Sequence, residues 1–132
     1  MRAALAHQGQ FGQVAKALRR IHADYAQSLD VAGLAGEAGM SVPAFHAHFK
    51  TVTQTSPIQY IKSTRLHQAR LLMIRDGLTA ASASSRVGYE SPSQFSREFK
   101  RFFGRRRIAL KARQHGDSLI GRRVRSRSLP IF

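Results

Sequence analysis

Apolar positions recur at helical spacing in two stretches of this chain, and the second repeats the plan of the first about fifty residues later. In residues 39–53, GMSVPAFHAHFKTVT, the side chains of Val42, Phe45, Phe49 and Val52 fall on one side of a helix turning ~100° per residue. In residues 88–104, GYESPSQFSREFKRFFG, Phe95, Phe99, Phe102 and Phe103 do the same. Phe45 and Phe95, Phe49 and Phe99, Lys50 and Lys100, and Val52 and Phe102 are each fifty apart. Pro43 and Pro92, like Gly39 and Gly88, are forty-nine apart, which assigns the second copy one extra residue between its proline and its first phenylalanine. Both apolar sides are expected to be buried.

The opposite sides carry Pro43, His46, Ala47 and Lys50 in the first copy, and Ser93, Ser96, Arg97 and Lys100 in the second. Short groups with a cation one turn on permit a helix to lie close against a groove wall and reach phosphates or base edges. An amphipathic helix with a solvated face is the plainer reading of either copy alone, and the duplication argues against it.

The remaining helices follow from the same period. Val14, Ala17, Leu18, Ile21 and Tyr25 share a side of a helix over residues 11–25, after an arm over residues 1–10 that has no clear period. Asp30 is an N-cap, with Leu29 and Leu34 as a hydrophobic staple, for a helix over residues 31–38 that Gly39 ends in the left-handed conformation. Ser41 or Val42 caps the next helix, which contains Pro43. Ser56 and Pro57 open a longer helix to residue 75 with two apolar stripes, Ile58, Ile61, Leu66, Ala69, Leu72 and Met73 on one side and Tyr60, Leu71 and Ile74 on the other. Such a helix serves as a spacer between two bodies. Arg65 lies inside the larger stripe and is expected to snorkel or to pair with Glu37 or Glu90. Thr79 caps a short helix over residues 80–87, rich in Ala and Ser, and Gly88 makes the turn into the last helix, residues 92–103.

A pair of short helices joined by a glycine turn, the second amphipathic with a small polar outer face, is a helix-turn-helix signature. Here it occurs twice. The expected organisation is an arm over residues 1–10, a double helix-turn-helix domain over residues 11–104, and a basic, disordered tail over residues 105–132. Within the domain the first unit is 11–56, the linker helix 57–75 and the second unit 76–104. A short helix near residues 108–114 is all the order that the tail's pattern supports.

Charge sharpens the functional reading. The net charge is +15, and residues 105–132 hold nine of the 22 cations against Asp117 alone, so residues 1–104 carry only +7. Nucleic acid is the commonest partner of such a chain, and an anionic membrane surface the next. The absence of cysteine excludes disulfides and thiolate metal sites. No apolar run approaches the ~20 residues of a spanning helix, and no signal peptide is evident, so a cytoplasmic location is expected. No paired carboxylates, no glycine-rich phosphate loop and no clustered histidines suggest catalysis, since His46 and His48 point to different helix faces; the chain reads as a non-enzyme without cofactor or metal.

In that order, GMSVPAFHAHFK, SPIQYIKSTRLHQARLLM and GYESPSQFSREFKRFFG resemble the DNA-binding domain of the AraC/XylS family of bacterial transcription regulators, over roughly residues 14–104. The resemblance implies an all-α fold of about seven helices, with a recognition helix from each unit in adjacent major-groove segments. It aligns Pro43, His46, Ala47 and Lys50 with DNA-binding positions of the first unit and Ser93, Gln94, Ser96, Arg97 and Lys100 with those of the second. Double-stranded DNA is the implied partner, RNA polymerase a further candidate, and a monomer on DNA is allowed. Arg105, Arg106 and Arg107 stand where the family has a proline and a closing helix, and no stretch has the length of the sensor domain that commonly precedes this one. The chain is therefore expected to be a stand-alone DNA-binding domain or the remnant of a longer regulator. Two rival readings are a non-specific basic nucleic-acid-binding protein and an antagonist that titrates a related regulator.

Overall fold

The structure, a computed structural model, describes residues 2–113, with side chains described from residue 9 to residue 104. Six helices and no strands occur among the described residues: α1 (Arg2–Asp24), α2 (Val31–Glu37), α3 (Val42–Thr53), α4 (Pro57–Asp76), α5 (Ala80–Arg86) and α6 (Pro92–Arg113). The chain divides into two compact units, and the boundary falls inside α4, between Arg65 and Leu66.

Two helix ends differ from the pattern-based expectation. Helix α1 begins at Arg2 and takes in most of the expected arm. Its early residues lack an apolar period but are rich in alanine, the residue with the highest intrinsic helix propensity. Helix α6 does not stop at Gly104 but continues to Arg113. Gly104 is absent from the glycines with positive φ, which are Gly39, Gly77 and Gly88, and the Arg, Leu, Lys and Ala residues that follow favour helix. This merger absorbs most of the expected short helix near residues 108–114 and leaves six helices in place of about seven. Residues 114–132 of the expected tail lie outside the described residues.

The first unit is built on Phe45 and Phe49, both fully buried, packed with Val14, Ala17 and Ile21 of α1, Leu34 and Ala35 of α2, Ala38, and Ile61 of α4. The two phenylalanine rings lie 5.5 Å apart, and Tyr60 stands edge-on to Phe49 at 5.6 Å while sharing a 2.7 Å hydrogen bond with His22. Val42, expected on the buried side, is 39% exposed because it opens α3 and overhangs the core. Ile58 and Ile74, near the two ends of α4, are likewise exposed, so the proposed stripes do not run its full length.

Arg65 corrects a second expectation. Its guanidinium pairs with no carboxylate among the described contacts; Nε donates to the carbonyl of Tyr25 at 2.5 Å and Nη2 to that of Gln27 at 2.8 Å. These carbonyls lie just past the C-terminal end of α1, where main-chain acceptors lack helical partners. Glu37 instead receives Arg20, which also bridges Asp24 at 2.7 Å.

The second unit repeats the aromatic ladder. Phe95 and Phe99 are buried with centroids 5.4 Å apart, and Phe103 continues the stack 4.5 Å from Phe99. Ala83 and Val87 of the α5 region are fully buried, small enough to let α5 approach α6 closely. Phe102 is half-buried, against His67, and the Arg70 guanidinium lies 5.2 Å from the Phe103 ring centre.

Candidate nucleic-acid interface

Each unit contains a pair of helices whose turn is made the same way. After α2, Gly39 takes φ 69°, its N–H donates to the Gly36 carbonyl and the Met40 N–H to the Ala35 carbonyl. After α5, Gly88 takes φ 99°, its N–H donates to Ser85 and the Tyr89 N–H to Ser84. Both are Schellman ends, which satisfy carbonyls the helix leaves open and require a left-handed residue. At Gly39 an added Cβ would meet only Gln13 at 3.5 Å, so the glycine serves backbone conformation rather than space.

The helices that follow are capped alike. Ser41 accepts from the Ala44 N–H at 3.3 Å, which settles the choice against Val42, and Ser91 accepts from the Gln94 N–H at 3.2 Å. Ser41 and Ser91 are fifty apart, the same offset as the phenylalanines. The extra residue of the second copy therefore lies in the turn, between glycine and cap, and not between proline and phenylalanine. Pro43 is the second helical residue of α3 whereas Pro92 is the first of α6, so the prolines are not equivalent positions. A proline fits either place because the first N–H groups of a helix have no internal acceptor.

With the caps as reference, α3 and α6 present matching outward faces. Pro43, His46, Ala47 and Lys50 are exposed on α3, and Ser93, Gln94, Arg97 and Lys100 on α6; Ser96 is half-buried. All nine candidate positions thus lie on two helices of one pattern. Thr51 donates to the Ala47 carbonyl at 3.0 Å, fixing its hydroxyl on the α3 surface. Arg97 makes no hydrogen bond or ion pair among the described residues, which leaves its five N–H donors for a ligand. Gln94 is already engaged, donating from Nε2 to Glu98 Oε2 at 2.8 Å, while the Tyr89 hydroxyl donates to Glu98 Oε1 at 2.7 Å. Glu98 was not among the expected site residues; its i, i+4 spacing from Gln94 is a signal that could have found it. His48, unlike His46, is half-buried, beside a depression it lines with Gln10, Phe11, Thr51 and Val52.

These features define a helix-turn-helix protein, and a family model described as a helix-turn-helix domain matches residues 34–111. An AraC-like transcription regulator of Streptomyces lividans is 37% identical over 91 residues, and the regulator AlkR of Acinetobacter baylyi 32% over 91. Both matches take in 69% of this chain but only 30% of the relative's length. The crystal structure of the DNA-binding domain of AdpA, a global transcriptional factor in complex with a target DNA, superposes with a TM-score of 0.66 and 27% identity, over 76% of this chain and 95% of that one. A probable AraC family regulator from Rhodopseudomonas palustris shares the fold, with a TM-score of 0.63 at 22% identity. The chain belongs to the AraC family of transcription regulators, of which it carries the DNA-binding domain. No helix among the described residues is long and apolar enough to cross a membrane.

Proposed function

We infer that the chain binds double-stranded DNA sequence-specifically and regulates transcription, with α3 and α6 as recognition helices in adjacent major-groove segments. The observation that supports this reading most directly is the shared register of the two helices, each with a serine cap four residues before a buried phenylalanine and a small polar outer face. A solvated surface has no need of that duplication.

Arg97 is the residue for direct base readout, since its fork matches the O6 and N7 acceptors of guanine. Lys50 and Lys100 reach phosphates, which position the helices without specifying sequence, and His46, Pro43, Ala47, Ser93, Gln94 and Ser96 shape the contact surface. Helix α4 acts as the spacer of the domain. A monomer with two such helices can cover two groove segments, and contact with RNA polymerase, like a cytoplasmic location, belongs to the same reading.

Selection of bound sequences from random duplex DNA tests it. Enrichment of a defined site with two separated blocks of preference is the expected result; binding without enrichment would favour the non-specific basic reading instead.

A further inference from the structure

We propose that Glu98 is a positioning residue for base readout: held by Tyr89, it fixes the side-chain amide of Gln94 in one orientation and thereby selects adenine at one base pair. The inference rests on the DNA-binding reading of α6 and goes beyond it to a residue that itself need touch no base.

Gln94 is exposed on the outer face of α6, where a free glutamine amide would rotate about a terminal torsion with broad, roughly two-fold preference. Its two ends differ chemically, one accepting and the other donating. A glutamine free to turn can meet either kind of base edge, at an entropic cost on binding. Here the Nε2 end is taken by Glu98 Oε2 at 2.8 Å, one turn along the same helix. A carboxylate accepts hydrogen bonds and cannot donate them, so the amide must turn its nitrogen toward Glu98 and its carbonyl oxygen away. With one N–H used in this way, the carbonyl oxygen and the second N–H remain for a base. An acceptor and donor together complement the N6–H donor and N7 acceptor on the major-groove edge of adenine.

Glu98 is itself held in place. Its other oxygen, Oε1, accepts from the Tyr89 hydroxyl at 2.7 Å, and the Tyr89 ring packs edge-on to buried Phe95, with centroids 5.3 Å apart. Tyr89 follows Gly88, and its main-chain N–H closes the Schellman turn on Ser84 at 3.0 Å. The turn, the core and the outward amide are therefore linked through named contacts: Phe95 to Tyr89, Tyr89 to Glu98, Glu98 to Gln94. This is preorganisation of a reading group by a second layer of contacts. The half-buried carboxylate also explains an acidic residue between Arg97 and Lys100 on a helix expected to meet phosphates.

The test is selection from random duplex DNA using the full chain as wild type, Glu98→Gln, Gln94→Ala, Tyr89→Phe and the Glu98→Gln/Gln94→Ala double variant, each checked for helical circular dichroism. The wild type is expected to prefer adenine at a base pair where Gln94→Ala loses that preference. Glu98→Gln, whose amide tolerates either orientation of its neighbour, should weaken the same preference by about fivefold or more, the scale of one bidentate contact. Tyr89→Phe should act at the same base pair to a smaller degree, and the double variant should lose no more there than Gln94→Ala alone. The proposal is overturned if Glu98→Gln keeps the wild-type profile, if it alters a base pair that Gln94→Ala leaves intact, or if Gln94→Ala relaxes a preference for another base. Uniform weakening on all sequences by Glu98→Gln and Tyr89→Phe would assign the pair to stability alone and also overturn it. A wild type that enriches no sequence would instead sink the DNA-binding reading on which the proposal stands.

Discussion

Arg65 donates its Nε hydrogen to the main-chain carbonyl of Tyr25, forty residues earlier, and so ties α4 to the end of α1. A second bond to the Gln27 carbonyl uses the same guanidinium. Hydrogen bonds from a charged donor typically contribute ~1.5–3 kcal/mol, less where water can compete. Arg65→Ala is expected to destabilise the first unit by ~1–3 kcal/mol in urea unfolding, and Arg65→Met, which keeps the apolar stem, to recover only the packing part. Full recovery by methionine would show that the carbonyl contacts contribute little.

Arg97 and Lys100 should fail in different ways. Arg97→Ala is expected to cost ~1–3 kcal/mol on the preferred site and to relax preference at one base pair. Lys100→Ala should weaken binding to all sequences alike and lower the salt slope by about one. Titrations on the selected site and on a scrambled duplex, at several salt concentrations, distinguish the two. Equal losses on both duplexes for Arg97→Ala would remove it from base readout.

Glycine and glutamine stand at exchanged posts in the two copies. Gln54 ends α3 at φ 66°, a left-handed conformation that costs a non-glycine residue ~1–2 kcal/mol, whereas Gly104, fifty residues later, lies inside α6. Gln54→Gly should stabilise the chain modestly, by up to ~1 kcal/mol, since it loses one 3.3 Å bond to Thr51. Gly104→Ala should also stabilise, by ~0.5–1 kcal/mol, because an added Cβ meets nothing within 4 Å. Thermal unfolding measures both; destabilisation by Gly104→Ala would mean that the helix breaks there.

Removal of residues 114–132 takes away four cations and one acid. Overall affinity for any duplex at low salt should fall and the salt dependence should become shallower, while the order of preferred sequences should persist. Loss of all preference on truncation would point to the basic tail as the binding element.

Much of the architecture can be read from residue order because burial leaves a periodic trace. Phe45, Phe49, Phe95 and Phe99 announce two helices by spacing alone, and Asp30, Ser41 and Thr79 mark helix starts through their side-chain oxygens. Gly39 and Gly88 mark the turns because few other residues accept positive φ. The outward positions of α3 and α6 follow once the buried side is known. What escaped the pattern has a physical reason in each instance. Arg65 binds main-chain carbonyls, which every residue carries, so no sequence signal names its partner. Val42, Ile58 and Ile74 fit the apolar period but occupy helix ends that overhang the core. The two prolines suggested an insertion inside the helix because both lie near its start; only the serine caps, seen in three dimensions, reveal the true correspondence. The Tyr89, Glu98 and Gln94 chain joins a turn to a helix face and has no periodic signature beyond one i, i+4 pair.

Because the surplus residue of the second copy sits before Ser91, the count from cap to core is identical in α3 and α6. Natural variation in turn length can then accumulate without swapping inward for outward side chains. On the proposed DNA-binding reading, the two helices would be interchangeable cassettes: the outer residues of one, grafted onto the other position for position, would transfer its sequence preference while the aromatic interior stays as it is.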